Sequence, residues 1–147
     1  MELSRSMDNV TLTNSGAEGT IQGKGTINGS LTFAPNTSPT HLTPGYSYAS
    51  EVLTVNGNVT MNANTKFQPL SSGTATSFLQ VNGNLNLGSA AGNSVIVNGP
   101  ALPHGSYSII KFTGTRTGTL APPTTPTGAT TTYVDTPGAG SVVLNIP

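Results

Sequence analysis

A seven-residue unit recurs three times in this chain, as Ile27-Asn28-Gly29-Ser30-Leu31-Thr32-Phe33, Val55-Asn56-Gly57-Asn58-Val59-Thr60-Met61 and Val81-Asn82-Gly83-Asn84-Leu85-Asn86-Leu87. The copies are separated by 28 and then 26 residues, a spacing at which one supersecondary unit stacks on the next. Apolar residues hold the first, fifth and seventh places and glycine the third, so one parity faces a core and glycine fills its tightest point. Asn28, Gly29, Asn56, Gly57, Asn82 and Gly83 therefore read as structural turns. A fainter fourth copy, Val97-Asn98-Gly99, stops at Pro100.

Asn-Gly is also the strongest short-range signal for a two-residue hairpin turn, and an antiparallel β-sandwich of hairpins is the alternative fold. Near-constant spacing, and an apolar parity unbroken through glycine from Val55 to Met61, favour solenoid corners. No window sustains an apolar period of 3.6, and Gly, Pro, Asn and Thr interrupt every candidate helix. Period-2 runs predict strands at 10–12, 26–27, 31–33, 53–55, 59–61, 79–81 and 85–87, with further strands at 94–97, 107–112, 132–134 and 141–146. Segments 34–50 and 121–131 are rich in Pro, Ser and Thr and read as protruding loops. Neither looks like a linker between domains.

Only 7% of residues are charged, against about 25% in an ordinary soluble domain, so Thr, Ser, Asn and Gly must carry solubility. Such a composition also suits disorder, but disordered tracts do not repeat this alternation. Five Lys and Arg balance five Asp and Glu. No basic stripe exists to follow phosphates, which argues against nucleic acid and anionic membranes as partners. Cysteine is absent, removing disulfides, thiolate metal sites and cysteine nucleophiles. No run approaches the roughly 18 apolar residues of a membrane span, so no membrane insertion is expected. Residues 1–9 form an N-terminal extension without the apolar core of a signal peptide, placing any secretion signal outside this sequence. With methionine at both 1 and 7, residues 1–6 read equally as native or as a cloning scar.

Phe33-Ala34-Pro35-Asn36-Thr37-Ser38-Pro39, followed by Leu53-Thr54 with the second repeat unit and by Leu79-Gln80 with the third, resembles the autotransporter-associated β-strand repeat of bacterial passenger domains and other exported surface proteins. The tail, Gly105-Ser106-Tyr107-Ser108-Ile109-Ile110 through Gly114, Gly118 and Leu120 to Val142-Val143-Leu144, is similar to the segment that closes such repeat regions. The resemblance covers residues 20–147 and implies a parallel β-helix and an extracellular or cell-surface life, with no catalytic residues. Residues 36–51 depart from it, because a short glycine-rich turn is replaced by a longer loop bearing Tyr46 and Tyr48.

Catalytic constellations are sparse. Glycan cleavage needs paired carboxylates or a cationic clamp, whereas Glu2, Asp8, Glu18, Glu51 and Asp135 are scattered. Stacking that unites Glu51 with Asp135 is the one route to a pair. His41 and His104 stand alone in Pro-rich segments and read as exposed loop residues. No Gly-x-Ser-x-Gly elbow occurs, and Gly23-Lys24-Gly25-Thr26 lacks the spacing and helix of a phosphate loop. Sequons at Asn9, Asn28, Asn36 and Asn58 follow from composition and the repeat rather than from glycosylation. Tyr46 and Tyr48, at period 2 on an extended loop, are the candidate ligand contacts, since two rings pointing one way can stack on sugar faces.

The sequence thus predicts one all-β domain over 10–147, a short right-handed parallel β-solenoid of about five coils and about 25 Å tall, closed by 101–147. It predicts no enzyme and no cofactor or metal. The expected role is a structural or adhesive module of a bacterial surface protein, with neighbouring repeats, other copies of itself or glycans as partners. A self-assembling fibre subunit is the alternative, joined through edge strands at Val142, Leu144 and Ile146 or at Val10 and Leu12.

Overall fold

The computed structural model describes residues 2–3, 8–13, 17–35, 37–48, 50–89 and 93–147. All regular structure among them is β-strand. In chain order the strands are β1 (Glu2–Leu3), β2 (Val10–Leu12), β3 (Gly19–Gly23), β4 (Gly25–Ile27), β5 (Leu31–Phe33), β6 (Thr40–Pro44), β7 (Val52–Val55) and β8 (Val59–Thr60). They continue as β9 (Thr65–Phe67), β10 (Phe78–Val81), β11 (Leu85–Asn86), β12 (Ser94–Val95), β13 (Gly105–Phe112), β14 (Arg116–Thr117), β15 (Thr130–Val134) and β16 (Gly140–Ile146).

Three sheets result. The first has the order β1-β3-β6-β9-β12, the second β4-β7-β10-β13-β16-β15 and the third β2-β5-β8-β11-β14. From β3 to β14 the chain visits them in strict rotation. Every pairing of one of these strands with another is parallel. Ile27, Val55, Val81 and Phe112 share one cross-strand file, and Leu31, Val59 and Leu85 another. Both join Ile21, Leu42, Phe67 and Val95 of the first sheet in one buried cluster that extends from Val10 to Ile146.

The Asn-Gly units join strands of different sheets and are not hairpin tips. A type I′ turn needs positive φ at both central residues, yet among the described residues none except glycine has positive φ, and Gly29, Gly57 and Gly83 do not adopt it either. They lie instead one above another. Gly57 N donates to Gly29 O at 3.0 Å and Gly114 N to Gly83 O at 2.9 Å. A Cβ built on Gly57 would stand 2.7 Å from Gly29 O, and one on Gly83 would stand 2.5 Å from Gly57 O. Glycine is required here by the close approach of backbone to backbone.

The flanking polar residues complete the corner. The Asn56 side chain donates to Asn28 Oδ1 at 3.3 Å, and that of Asn82 to Asn56 Oδ1 at 2.9 Å. One place beyond glycine, each side-chain oxygen accepts the backbone N–H of the next level: Asn9 from Ser30, Ser30 from Asn58, Asn58 from Asn84 and Asn84 from Thr115, at 2.7 to 3.1 Å. Asn9, Asn28 and Asn58 each hold a hydrogen bond to the neighbouring level. Asn36 lies outside the described residues, as does the 1–6 segment except for Glu2–Leu3.

Several expectations need correction. The fourth unit is not Val97-Asn98-Gly99, because Asn98 pairs with Leu70 in a parallel bridge away from the glycine file. It is Phe112-Thr113-Gly114-Thr115-Arg116, where Arg116 replaces the inward leucine. Segment 34–50 is not wholly a loop: its centre is β6, with Thr40 and Leu42 buried. Nor does 121–131 simply protrude, since Thr124 N donates to Val95 O and Val97 N to Thr125 O, both at 3.0 Å. His41 sits half-buried on β6 with Glu18 3.5 Å away, while His104 is exposed.

The edge assignment at the C-terminal end also changes. β16 lies between β13 and β15 and pairs antiparallel with both. Val142, Leu144 and Ile146 are core residues there; Val142 and Leu144 are paired on both sides, by β13 and β15, and Ile146 by Gly105 of β13. At the other end β2 is the outermost strand of the third sheet, with Val10 buried and Leu12 half-buried.

A methyl group added at Gly83 meets a backbone carbonyl that cannot rotate away, so Gly83→Ala should destabilise the fold by about 1–3 kcal/mol. Urea unfolding monitored by circular dichroism measures this. An unchanged midpoint would contradict close stacking of the corners.

Candidate functional site

Between β6 and β7 the chain leaves the stack through Gly45, whose φ of +89° suits only glycine. The loop that follows is held by one carboxylate. Glu51 Oε2 accepts the backbone N–H groups of Tyr46 at 2.6 Å and Ser47 at 3.1 Å, while Oε1 accepts Lys24 Nζ at 2.8 Å. The Glu51 side chain is only 11% exposed. Hydrogen bonds from Lys24 first, then from the Tyr46 amide, outweigh desolvation and hold its pKa down to about 2.

This loop places both tyrosines over the outer surface of the first sheet. Tyr46 is half-buried and Tyr48 is 60% exposed. They line one concavity of about 500 Å³ together with Gln22, Thr43, Gln68 and Asn98. Gln22 and Thr43 are register partners across β3 and β6, and Thr43 Oγ1 donates to Gln68 Oε1 at 3.3 Å. The Tyr48 ring lies so close over Gly99 that a Cβ there would come within 2.6 Å of Tyr48 Cδ1. Both tyrosines line this one concavity. Gln22, Thr43, Gln68 and Asn98 were not legible in the sequence, because they belong to a sheet whose strands follow no fixed spacing.

The candidate acids are not brought together. Asp135 is held instead by Arg116, through Nε to Oδ1 at 2.8 Å and Nη2 to Oδ2 at 2.6 Å, and the guanidinium lies 4.2 Å from the Tyr133 ring centre. The Arg116 hydrogen bond lowers the Asp135 pKa. With Glu51 on Lys24 and Asp135 on Arg116, each carboxylate has its own cation and neither faces the other. Among the described residues no three His, Asp or Glu side chains gather to hold a metal ion. No described helix is long and apolar enough to cross a membrane.

The Glu51 anchor generates a pH prediction with a definite sign. Its carboxyl lies near 2 in the folded chain against an ordinary 4.5, so the stability it contributes is complete above 4.5 and is lost as pH falls through about 2. Amide resonances of Tyr46 and Ser47 should titrate with a midpoint near 2, and Glu51→Gln should abolish that titration. A midpoint at the ordinary carboxylate value would show that the anchor does not form.

No protein-family model, no curated protein and no solved structure matches this chain, so its functional reading stands on the stacked corners and on the groove beneath Tyr46 and Tyr48.

Proposed function

We propose that this chain is a non-enzymatic structural and adhesive module of a bacterial extracellular surface or passenger protein, built as one right-handed parallel β-solenoid of about five coils. The carrying observation is the file Gly29, Gly57, Gly83 and Gly114 with its side-chain bonds from level to level. Corners stacked in this way make a stiff body whose variable parts lie in loops, which is what a spacer that displays a binding loop requires. The resemblance to the autotransporter-associated repeat and the scarcity of charge support the extracellular setting. Carboxylates committed to Lys24 and Arg116 support the non-enzymatic reading. Its partners are adjoining repeats at the ends of the stack.

A second reading, a self-assembling fibre subunit, is favoured by one observation: β2 and β4 are the outermost strands of their sheets among the described residues. Unpaired backbone at such an edge can template another strand. Sizing chromatography and electron microscopy discriminate the two. The module reading expects a monodisperse monomer with no concentration-dependent growth. Filaments would replace it with the fibre, and turnover of a glycan panel abolished by Glu51→Gln or Asp135→Asn would overturn the non-enzymatic assignment.

A further inference from the structure

We infer that the groove beneath Tyr46 and Tyr48 is a binding site for a neutral oligosaccharide. This goes beyond the structural role and does not depend on the setting in which the module works. The reasoning begins with what the groove lacks. None of its described lining residues is an acid, a lysine, an arginine or a histidine, so among them a phosphate, a uronate or an acidic peptide would lose hydration with no counter-charge to replace it. An apolar ligand fares no better. It would cover the side-chain amides of Gln22 and Asn98, which have no hydrogen-bond partner among the described residues, and leave them unsatisfied.

A peptide added as a strand is also excluded at this place. β3 is paired on both sides, by β1 and β6, β6 by β3 and β9, and β9 by β6 and β12. Among the described residues no open edge is left at Gln22, nor between β6 and β9. What remains is a ligand that offers hydroxyls to amides, which both donate and accept, and a C–H face to an aromatic ring. A neutral pyranose chain has both.

The dimensions agree with a chain rather than a single sugar. Gln22, Thr43, Gln68 and Asn98 stand on four successive levels of the first sheet, a span of about 14 Å at the ordinary strand separation. Tyr48 presents its exposed ring beside this row of polar groups. The two elements that hold the ring in place are local and distinct: Glu51 ties the loop backbone, and Gly99 leaves space under the ring. Such preorganisation lowers the ordering cost of binding.

The test is an amide-resolved NMR titration of the full chain with cellohexaose, mannohexaose and chitohexaose, beside hexagalacturonate as the charged comparison. At least one neutral hexaose should shift residues 22, 43, 46–48, 68 and 98–99 saturably, with hexagalacturonate at least about tenfold weaker. Tyr48→Ala removes an exposed ring and should weaken that binding by about tenfold or more while leaving the thermal midpoint unchanged. Gln68→Ala should weaken it as well. The inference is overturned if none of the neutral hexaoses saturates, if hexagalacturonate binds as tightly as they do, or if Tyr48→Ala binds like the parent chain. Filament formation or turnover in the earlier assays would leave this result standing on its own.

Discussion

The structure depends on how a chain with few charges, and with no helix among its described residues, satisfies its backbone where it turns from one sheet to the next. Within a sheet the ladder supplies partners, but at a corner successive N–H groups point along the stack with no strand to meet them. Here the next level supplies them. Gly114 donates to Gly83 O, and Asn58, Asn84 and Thr115 donate from their backbones to side-chain oxygens one level away. Each such bond contributes on the order of 1 kcal/mol, and leaving a buried donor unmade costs more than that. The repeated glycine permits the approach, and the repeated asparagine fills the remaining valence.

That arrangement explains why the chain ends its parallel course where it does. At the fourth corner Thr113 and Thr115 stand where asparagines stood, and Arg116 occupies the register position of Leu85 and Val59. A guanidinium cannot join an apolar file, so it turns to Asp135 and to the face of Tyr133. The chain then adds one more parallel bridge to the first sheet, Thr125 beside Ile96, before β15 and β16 continue the second sheet in antiparallel sense. A protruding parallel edge is thereby replaced by a sheet whose outer strand alternates half-buried and exposed positions.

A rigid stack also decides where binding can be built. Tyr46 and Tyr48 gain fixed positions because a single low-pKa carboxylate, Glu51, gathers two loop amides and an ammonium. The groove polar groups come from strands that are immobilised by pairing on both sides, so a site on a loop acquires a floor set by the sheet. Low charge, which in the sequence is a constraint on partners, is the property of this groove from which we infer a neutral, hydroxyl-rich ligand.

The sequence by itself determined which residues face inward around each Asn-Gly corner and that those corners recur, because close glycine contacts and a two-residue parity are local and leave a regular trace. It also marked Tyr46 and Tyr48. The first sheet was decided only in three dimensions: β6 and β9 carry the fully buried apolar residues Leu42 and Phe67, and the register partners of the sheet lie 20 to 28 residues apart without a constant interval. Gln22, Thr43, Gln68 and Asn98 therefore carry no pattern along the chain. Their juxtaposition arises from lateral pairing between levels, and the physical reason is that loops of unequal length separate strands that the backbone ladder nevertheless holds side by side.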